Sequence, residues 1–571
     1  MTELGVLAGL SPGELAAVAY SPEVGLAIVT GRGAEVIDPA GAAAAVEATE
    51  RAVGPRWLWW SNETYAALGV RVARCWDLAA VHRLLFGGWP ADPARIWAAL
   101  HDLPAATAPG LGQLDLLAAG GGDSGGDAED AVQPDGHLRP EWTSGGWARS
   151  RPRLVAWAAL ARRAAAEQRR RLDALTVGGD AVGTAYAESA AEMLAAELSA
   201  DGLPLDVTCA AELIASYVGA RPGSEAEAAA ARRHRDDAVL RHADGSESTD
   251  LRNPAQVRSM LGRLGFDLPD TRSWRLEPFR GAHPVIDELL AWRKAERIAT
   301  TYGYGWLEQN VGADGRLRGA WSGSDGAAGR MTASAGLHNL PAELRPAVAA
   351  DAGWVLVRAD LGQIEPRVLA AISGDRAFVR ATLEDDLYAP VAARLGIDRA
   401  KAKVAVLAAM YGQTSGAAGE ALRGLERAYP VAMRYLHAAR DAGRAGRDLR
   451  THGGRLVRMW ATPAGADDNA VRSAAAARGR YARNAAVQGA AAELFKMWAV
   501  TVRARAAEMP ARIVLCLHDE LLVHAPRTDA DDVAALVRTA LDEAAARWAP
   551  GSGVRFVADL RVVDRWSEAK D

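Results

Sequence analysis

Two short apolar runs that each lead into acids, with a long helical stretch between them, constrain this chain most. Trp354-Val355-Leu356-Val357 passes through Arg358 and Ala359 into Asp360, and Leu361-Gly362-Gln363-Ile364-Glu365 then turns toward a helix. Ile513-Val514-Leu515-Cys516-Leu517 runs into His518-Asp519-Glu520 and returns as Leu521-Leu522-Val523-His524. Short apolar runs of this kind predict strands, and the second predicts a hairpin with two acids at its bend. Acids at the ends of adjacent apolar strands are costly unless they are exposed or meet a cation. Taken singly, such an Asp is more often a turn residue or a helix cap. Taken together, they suit magnesium, which binds one or two carboxylates plus substrate phosphates. Two such ions about 4 Å apart activate an attacking hydroxyl and hold a leaving oxygen.

The rest of the 571-residue chain has room for several domains. Residues 1 to about 115 mix strand-like runs (Gly25 to Val29, Ala34 to Asp38) with helical spacing from Trp76 to Phe86, which predicts a small α/β domain. Ala118 to Gly136 is rich in Gly and Asp and poor in large apolar residues, so a flexible loop or linker is expected there. Helices are predicted over Leu154–Leu175 and Ala185–Leu198, with a turn at Gly202 and Pro204. A further helix starts at Asn253-Pro254, and a long one spans Pro284 to Tyr302. Beyond about 303 the region is mixed, and 375–505 reads as helical. No apolar run reaches the roughly 18 residues that cross a bilayer. Met1 to Leu10 lacks the pattern of an export signal, and Cys75, Cys209 and Cys516 form no metal-type pair, so a reducing cytoplasm is expected.

A net charge of −5 does not advertise a nucleic-acid binder. The charge is unevenly placed, however. From Arg399 to Arg483 there are 16 Lys and Arg against 6 Asp and Glu, a basic segment inside an acidic protein. Such a surface favours contact with phosphates. Within it, Arg399, Lys403, Leu407 and Tyr411 recur every four residues, followed by Gly412. At about 100° per residue this spacing drifts only about 40° per step, so the four share one helix face. Two cations a turn apart can grip a triphosphate, and the apolar residue and phenol beyond them can press on a base and sugar.

Asp360-Leu-Gly-Gln-Ile-Glu-Pro-Arg367-Val-Leu-Ala resembles motif A of family A DNA polymerases. Arg399-x3-Lys403-x7-Tyr411-Gly412 resembles motif B, and His518-Asp519-Glu520 resembles motif C, in the family's order. Gly329-Arg330-Met331-Thr332 with Leu337-His338-Asn339-Leu340-Pro341 is similar to the segment that contacts primer and template. Arg480-x3-Asn484-x3-Gln488-Gly489 is similar to the helix beside the template. The resemblance covers about 185–571. It implies an α+β multidomain fold: a right-hand polymerase with an antiparallel palm sheet and helical fingers and thumb, preceded by a small α/β exonuclease-like domain. The implied boundaries are 1–180 for that domain, 181–302 for the thumb, 303–375 and 501–571 for the palm, and 376–500 for the fingers. Its implied partners are primer–template DNA and deoxynucleoside triphosphates, with no membrane and a monomeric state. Its implied setting is the bacterial cytoplasm, at the nucleoid.

The resemblance also implies roles. Asp360, Asp519 and the Leu361 carbonyl would hold two Mg2+ ions, with Mn2+ as a substitute, and Glu520 would support them. Arg399 and Lys403 would bind the triphosphate, and Lys403 would stabilise or protonate the leaving pyrophosphate. Gln363, Ile364, Leu407 and Tyr388 would line the nucleotide site. Glu365, backed by Tyr411, would stand where a ribose 2′-hydroxyl would go. Arg330 and Gln488 would touch the minor-groove edge of the new pair, with His518 at the primer end and Asn339, Arg480 and Asn484 also on DNA. Leu407 departs from the family's Phe or Tyr, Ala408 from Gly, Pro366 from Leu, and Tyr388 from a common His.

The first 180 residues depart further. Proofreading in this family needs Asp-x-Glu on a strand, then an Asp following Asn-x3-Tyr, then Tyr-x3-Asp. The only Asp-x-Glu before residue 150 is Asp127-Ala128-Glu129, in the Gly-rich break. Asn62-Glu63-Thr64-Tyr65 resembles the second motif with one residue fewer between Asn and Tyr, and has Ala66 in place of its acid. Between Trp157 and Leu175 the first acid is Glu167, and no Tyr precedes it. The expectation is a structural remnant without proofreading, and without a 5′-nuclease domain before it. A single-subunit RNA polymerase is the nearest rival, opposed by Glu365 and Glu520. A silent DNA-binding scaffold is opposed by the presence of Asp360, Asp519 and Lys403, and a bifunctional exonuclease–polymerase by Ala66.

Overall fold

A computed structural model describes residues 9–104, 130–245, 248–412 and 417–569, with the backbone alone over 417–421. Most of Met1–Leu10, most of the break at 118–136 and all of Asp127-Ala128-Glu129 lie outside these residues. The chain forms two compact units. One comprises Met1–Asp201, Ala320–Ala333 and Trp354–Val562, and the other Gly202–Gly319, Ser334–Gly353 and Val563–Asp571.

The first unit opens with a five-stranded sheet of order β3-β2-β1-β4-β5, from β1 (Leu15–Ser21), β2 (Gly25–Thr30), β3 (Gly33–Ile37), β4 (Arg56–Trp59) and β5 (Cys75–Asp77). The first three strands form an antiparallel meander, and β4 and β5 join in parallel. Both faces are covered. Ala17, Ala19 and Ala27 pack into one core, and Ala16, Val18, Leu26 and Ile28 into another. Double burial explains why these strands read as unbroken apolar runs instead of alternating ones. Helix α1 (Arg151–Asp173) covers the first face with Leu154, Trp157, Ala158 and Ala161, one stripe at helical spacing. The helix expected from Trp76 starts later, at Leu78, because Asp77 ends β5 and its carboxylate caps the Ala80 amide at 2.9 Å.

Helix α2 (Ala181–Asp201) is buried around most of its circumference, yet it carries Glu188, Glu192 and Glu197 inside. Each acid has cations against it. Glu188 lies between Arg455 and Lys496, Glu192 binds Arg83 at 2.9 Å, and Glu197 binds Arg503 at 2.6 Å. Removing one member of such a pair leaves a buried charge unpaired, so α2 ties the N-terminal sheet firmly to the C-terminal half.

The second sheet has the order β7-β8-β6-β9, from β6 (Trp354–Leu361), β7 (Arg512–Cys516), β8 (Glu520–Pro526) and β9 (Ala558–Val563). Around it lie α3 (Ile364–Ser373), α4 (Tyr388–Leu395), α5 (Arg399–Tyr411), α6 (Pro430–Arg444), α7 (Asp468–Arg505) and α8 (Ala530–Trp548). The 38-residue α7 packs against α2, α6 and α8. The stretch expected to be helical over 375–505 is so, apart from connecting loops and a two-stranded ribbon, Leu449–Arg450 with Leu456–Val457.

The second unit is mainly helical, with Val207–Val218, Glu225–Leu240, Pro254–Arg263 and Pro284–Thr301. Val257, Met260, Leu261, Val285, Ile286 and Leu289 lie in its core. Both expected starts hold: Asn253 caps the Ala255 and Gln256 amides, and Pro254 and Pro284 sit in the first turns, where no amide donor is needed. The turn expected at 202–204 is instead a short strand, Leu203–Pro204, paired with Arg316–Leu317 after Gly202 at φ 72°. Among the described residues no helix is long and apolar enough to cross a membrane.

Candidate active site

Strands β6 and β8 pair antiparallel from Trp354 opposite Pro526 to Asp360 opposite Glu520. Strand β6 is longer than its apolar run, so Asp360 lies inside the ladder and not beyond it. The Leu361 amide donates to the Asp519 carbonyl at 2.7 Å, and the Leu517 amide closes the bend onto Glu520 at 2.8 Å. Asp360 and Asp519, far apart in sequence, are thereby fixed at the same end of neighbouring strands. The Asp360 side chain is 29% exposed and that of Glu520 only 4%, while His518 and Asp519 face solvent. Partial desolvation of the ring by its surroundings, and then the Arg330 charge, hold the His518 imidazole below its ordinary pKa.

After Leu361 the chain turns sharply. Gln363 has φ 57°, a left-handed conformation uncommon for a side-chain-bearing residue, and it starts α3. Its side chain compensates by bridging two groups: Nε2 donates to Asp386 at 3.0 Å, and Oε1 accepts from the Leu387 amide at 2.8 Å. The turn is further held by Arg367, fully buried, which donates to the carbonyls of Gly362, Thr382, Glu384, Asp385 and Arg555. Burial lowers the Arg367 pKa to about 10. Ile364 is buried beneath the turn.

The first turn of α3 presents Glu365, which accepts from Arg330 at 3.0 Å and from the Tyr411 hydroxyl at 2.9 Å. Partial desolvation of the hydroxyl end, and then Glu365, push the otherwise exposed Tyr411 up to about 12, and Gln488 of α7 also bonds it. Tyr388 is buried and raised to about 12, chiefly by burial and next by Glu365. On α5, Arg399, Lys403 and Tyr411 are exposed and Leu407 is half-buried, so the expected face exists. Arg399 pairs with Asp386 and lies 5.9 Å from the Tyr388 ring centre. Gly412 ends α5 at φ 72°, where a Cβ would lie 3.4 Å from Arg480 Cγ of α7. Asn484 is half-buried on the same helix.

Of the expected site residues, Asn339 alone belongs to the second unit, where its carbonyl accepts from Tyr302 at 2.8 Å. Sequence reasoning missed Arg358, Asp386 and the role of Arg367. Arg358 left a signal: a charge in the middle of an apolar strand, two residues before Asp360 and so on the same face. In the N-terminal domain, Ala66 sits in helix Asn62–Leu68, and Glu167 is taken up by Arg170 and Arg171. Asp77, also unforeseen, is fully buried and accepts from Trp59 at 2.9 Å. Burial, and then Glu192, raise its pKa.

The model of DNA polymerase family A matches residues 231–568. The chain belongs to DNA polymerase family A. It is 32% identical over 297 residues to "DNA polymerase I, thermostable" of Thermus thermophilus, covering 47% of this chain and 35% of that protein. It is 30% identical over 340 residues to "DNA polymerase I" of Deinococcus radiodurans, covering 53% and 35%. The chain thus aligns with about a third of the length of these relatives. The structure titled "POL domain of Pol1 from M. smegmatis complex with DNA primer-template and dNTP" superposes with TM-score 0.65 at 19% identity, over 99% of this chain and 97% of that one. That likeness extends the family A fold across the N-terminal sheet, in agreement with the expected mixed, multidomain class.

Proposed function

We propose that this family A protein is a template-directed DNA polymerase that adds deoxynucleotides to a primer 3′ end, without proofreading. The observation that carries the reading is the Asp360–Glu520 register with the Leu361–Asp519 bond, which gathers separated acids at one end of the sheet, with α3 reaching α5 from there through the Glu365–Tyr411 bond. The donors there are all oxygens, carboxylates and a backbone carbonyl, a set that fits a hard divalent cation. Such ions, Mg2+ or Mn2+, held by Asp360, Asp519 and the Leu361 carbonyl, would supply Lewis-acid activation of the primer hydroxyl and neutralise phosphate charge.

The chain's own part is positioning and charge stabilisation, which dominate phosphoryl transfer. Arg399 and Lys403 bind the triphosphate, and Lys403 stabilises the departing pyrophosphate. Asp386 keeps Arg399 oriented toward that task. Glu365, clamped by Arg330 and Tyr411, excludes a 2′-hydroxyl. Gln363, Ile364, Leu407 and Tyr388 shape the nucleotide site. Gln488 and Arg330 meet the minor-groove edge of the new pair, while His518, Arg480, Asn484 and Asn339 contact DNA. The domain assignment follows: 1–180 a structural remnant of an exonuclease domain, 181–302 thumb, 376–500 fingers, and the remainder palm. The setting proposed is replication or repair gap filling by a monomer at the bacterial nucleoid.

Primer extension with Mg2+ on wild type and Asp519→Ala tests the reading. Extension should fall at least about a thousandfold in the variant; retained synthesis would refute the assignment. Removal of a mispaired 3′ nucleotide, abolished by a substitution before residue 180, would refute the absence of proofreading.

A further inference from the structure

The strand that carries Asp360 also carries a cation aimed at it. Arg358 leaves β6 on the same face as Asp360, and its side chain is 3% exposed. Its guanidinium donates to Asp360, from Nε to Glu520 at 3.0 Å, and from Nη1 to Asp559 of β9 at 3.1 Å. One fork thus spans three neighbouring strands of the sheet. It touches one expected metal ligand and the acid next to the other. A planar guanidinium suits this task because its donors are fixed relative to one another.

We propose that Arg358 is a positioning residue that orients the Asp360 carboxylate and competes with divalent cations for it. The acidic pair then takes metal weakly until a nucleotide arrives with its own phosphate charge. The inference rests on reading Asp360 and Asp519 as metal ligands. A fixed positive charge bonded to a ligand carboxylate opposes a dication by on the order of ten- to a hundredfold in affinity. A triphosphate offsets that opposition, so loading of the site is coupled to substrate.

The test is Mn2+ binding to the full chain, followed by electron paramagnetic resonance without DNA or nucleotide. Arg358→Gln should bind Mn2+ about tenfold more tightly than wild type. Arg358→Lys keeps the charge but cannot span the carboxylates, and should tighten binding by about threefold. Adding a deoxynucleoside triphosphate should narrow the difference between wild type and Arg358→Gln. A purely structural Arg358 would lower Tm and leave Mn2+ affinity unchanged. Unchanged or weaker Mn2+ binding in a folded Arg358→Gln, or in Arg358→Lys if the first does not fold, overturns the inference. Asp519→Ala serves as the control. If it leaves Mn2+ binding intact in both backgrounds, the metal-site reading itself falls, and the inference with it.

Discussion

Arg367→Met offers the sharpest check on how the site is held. Arg367 is a fully buried cation whose five hydrogen-bond partners are backbone carbonyls. Methionine keeps an unbranched apolar stem and removes every donor. The carbonyls of Glu384, Asp385 and Arg555 belong to exposed residues and can turn to water, whereas Thr382 is buried and Gly362 half-buried. Losing two bonds from a charged donor, at about 1.5–3 kcal/mol each, gives about 3–6 kcal/mol. Removing the guanidinium's own desolvation cost offsets part of this, so about 3–4 kcal/mol is expected. For a chain of 571 residues the unfolding entropy comes to about 1.2 kcal/mol/K, so the change lowers Tm by about 3 °C in thermal unfolding followed by tryptophan fluorescence. The released segment also carries Asp386, so nucleotide KM should rise by more than kcat falls. A Tm within about 1 °C of wild type, with nucleotide KM unchanged, would refute the role assigned to Arg367.

Leu407→Phe should restore a ring beside the incoming base. At about 0.5–1.5 kcal/mol for an aromatic contact, nucleotide KM should fall about two- to tenfold and dideoxynucleotide incorporation should rise; steady-state single-nucleotide kinetics would show either. Asp77→Asn tests the buried acid of the N-terminal domain. An acid with a raised folded pKa stays protonated where the unfolded chain has already ionised, so stability falls as pH rises from about 4 through the raised value and is flat above it. The decline in Tm between pH 5 and 8 should be shallower in Asp77→Asn than in wild type, and equal slopes would refute the shift.

Local pattern carried much of this protein into view. The apolar runs at 354–357 and 513–517, the Asn253-Pro254 start and the four-residue spacing from Arg399 to Tyr411 are each set by neighbours within a few residues, and each appears as a strand, a cap or a helix face. The missing acid at Ala66 is likewise legible, because a residue's identity needs no fold to be read. Asp77 was less so: as the cap of Leu78–Phe86 it reads as an ordinary turn acid, and only the packing of α2 on β5 makes it a buried one.

Asp360 and Asp519 show where local information stops. Strand alternation put Arg358 and Asp360 on one face, but the chain order says nothing about what lies opposite. Register decided that. Only the pairing of β6 with β8 sets Glu520 across from Asp360, and only the β9 edge adds Asp559. Arg367 and Asp386 became part of the site the same way, through loops brought together from different stretches of chain. Sequence alone settled which residues carry charge and hydrogen-bond donors, since side-chain identity fixes both. Tertiary structure settled which of them meet, because close contacts between distant segments depend on register and packing that no local pattern encodes.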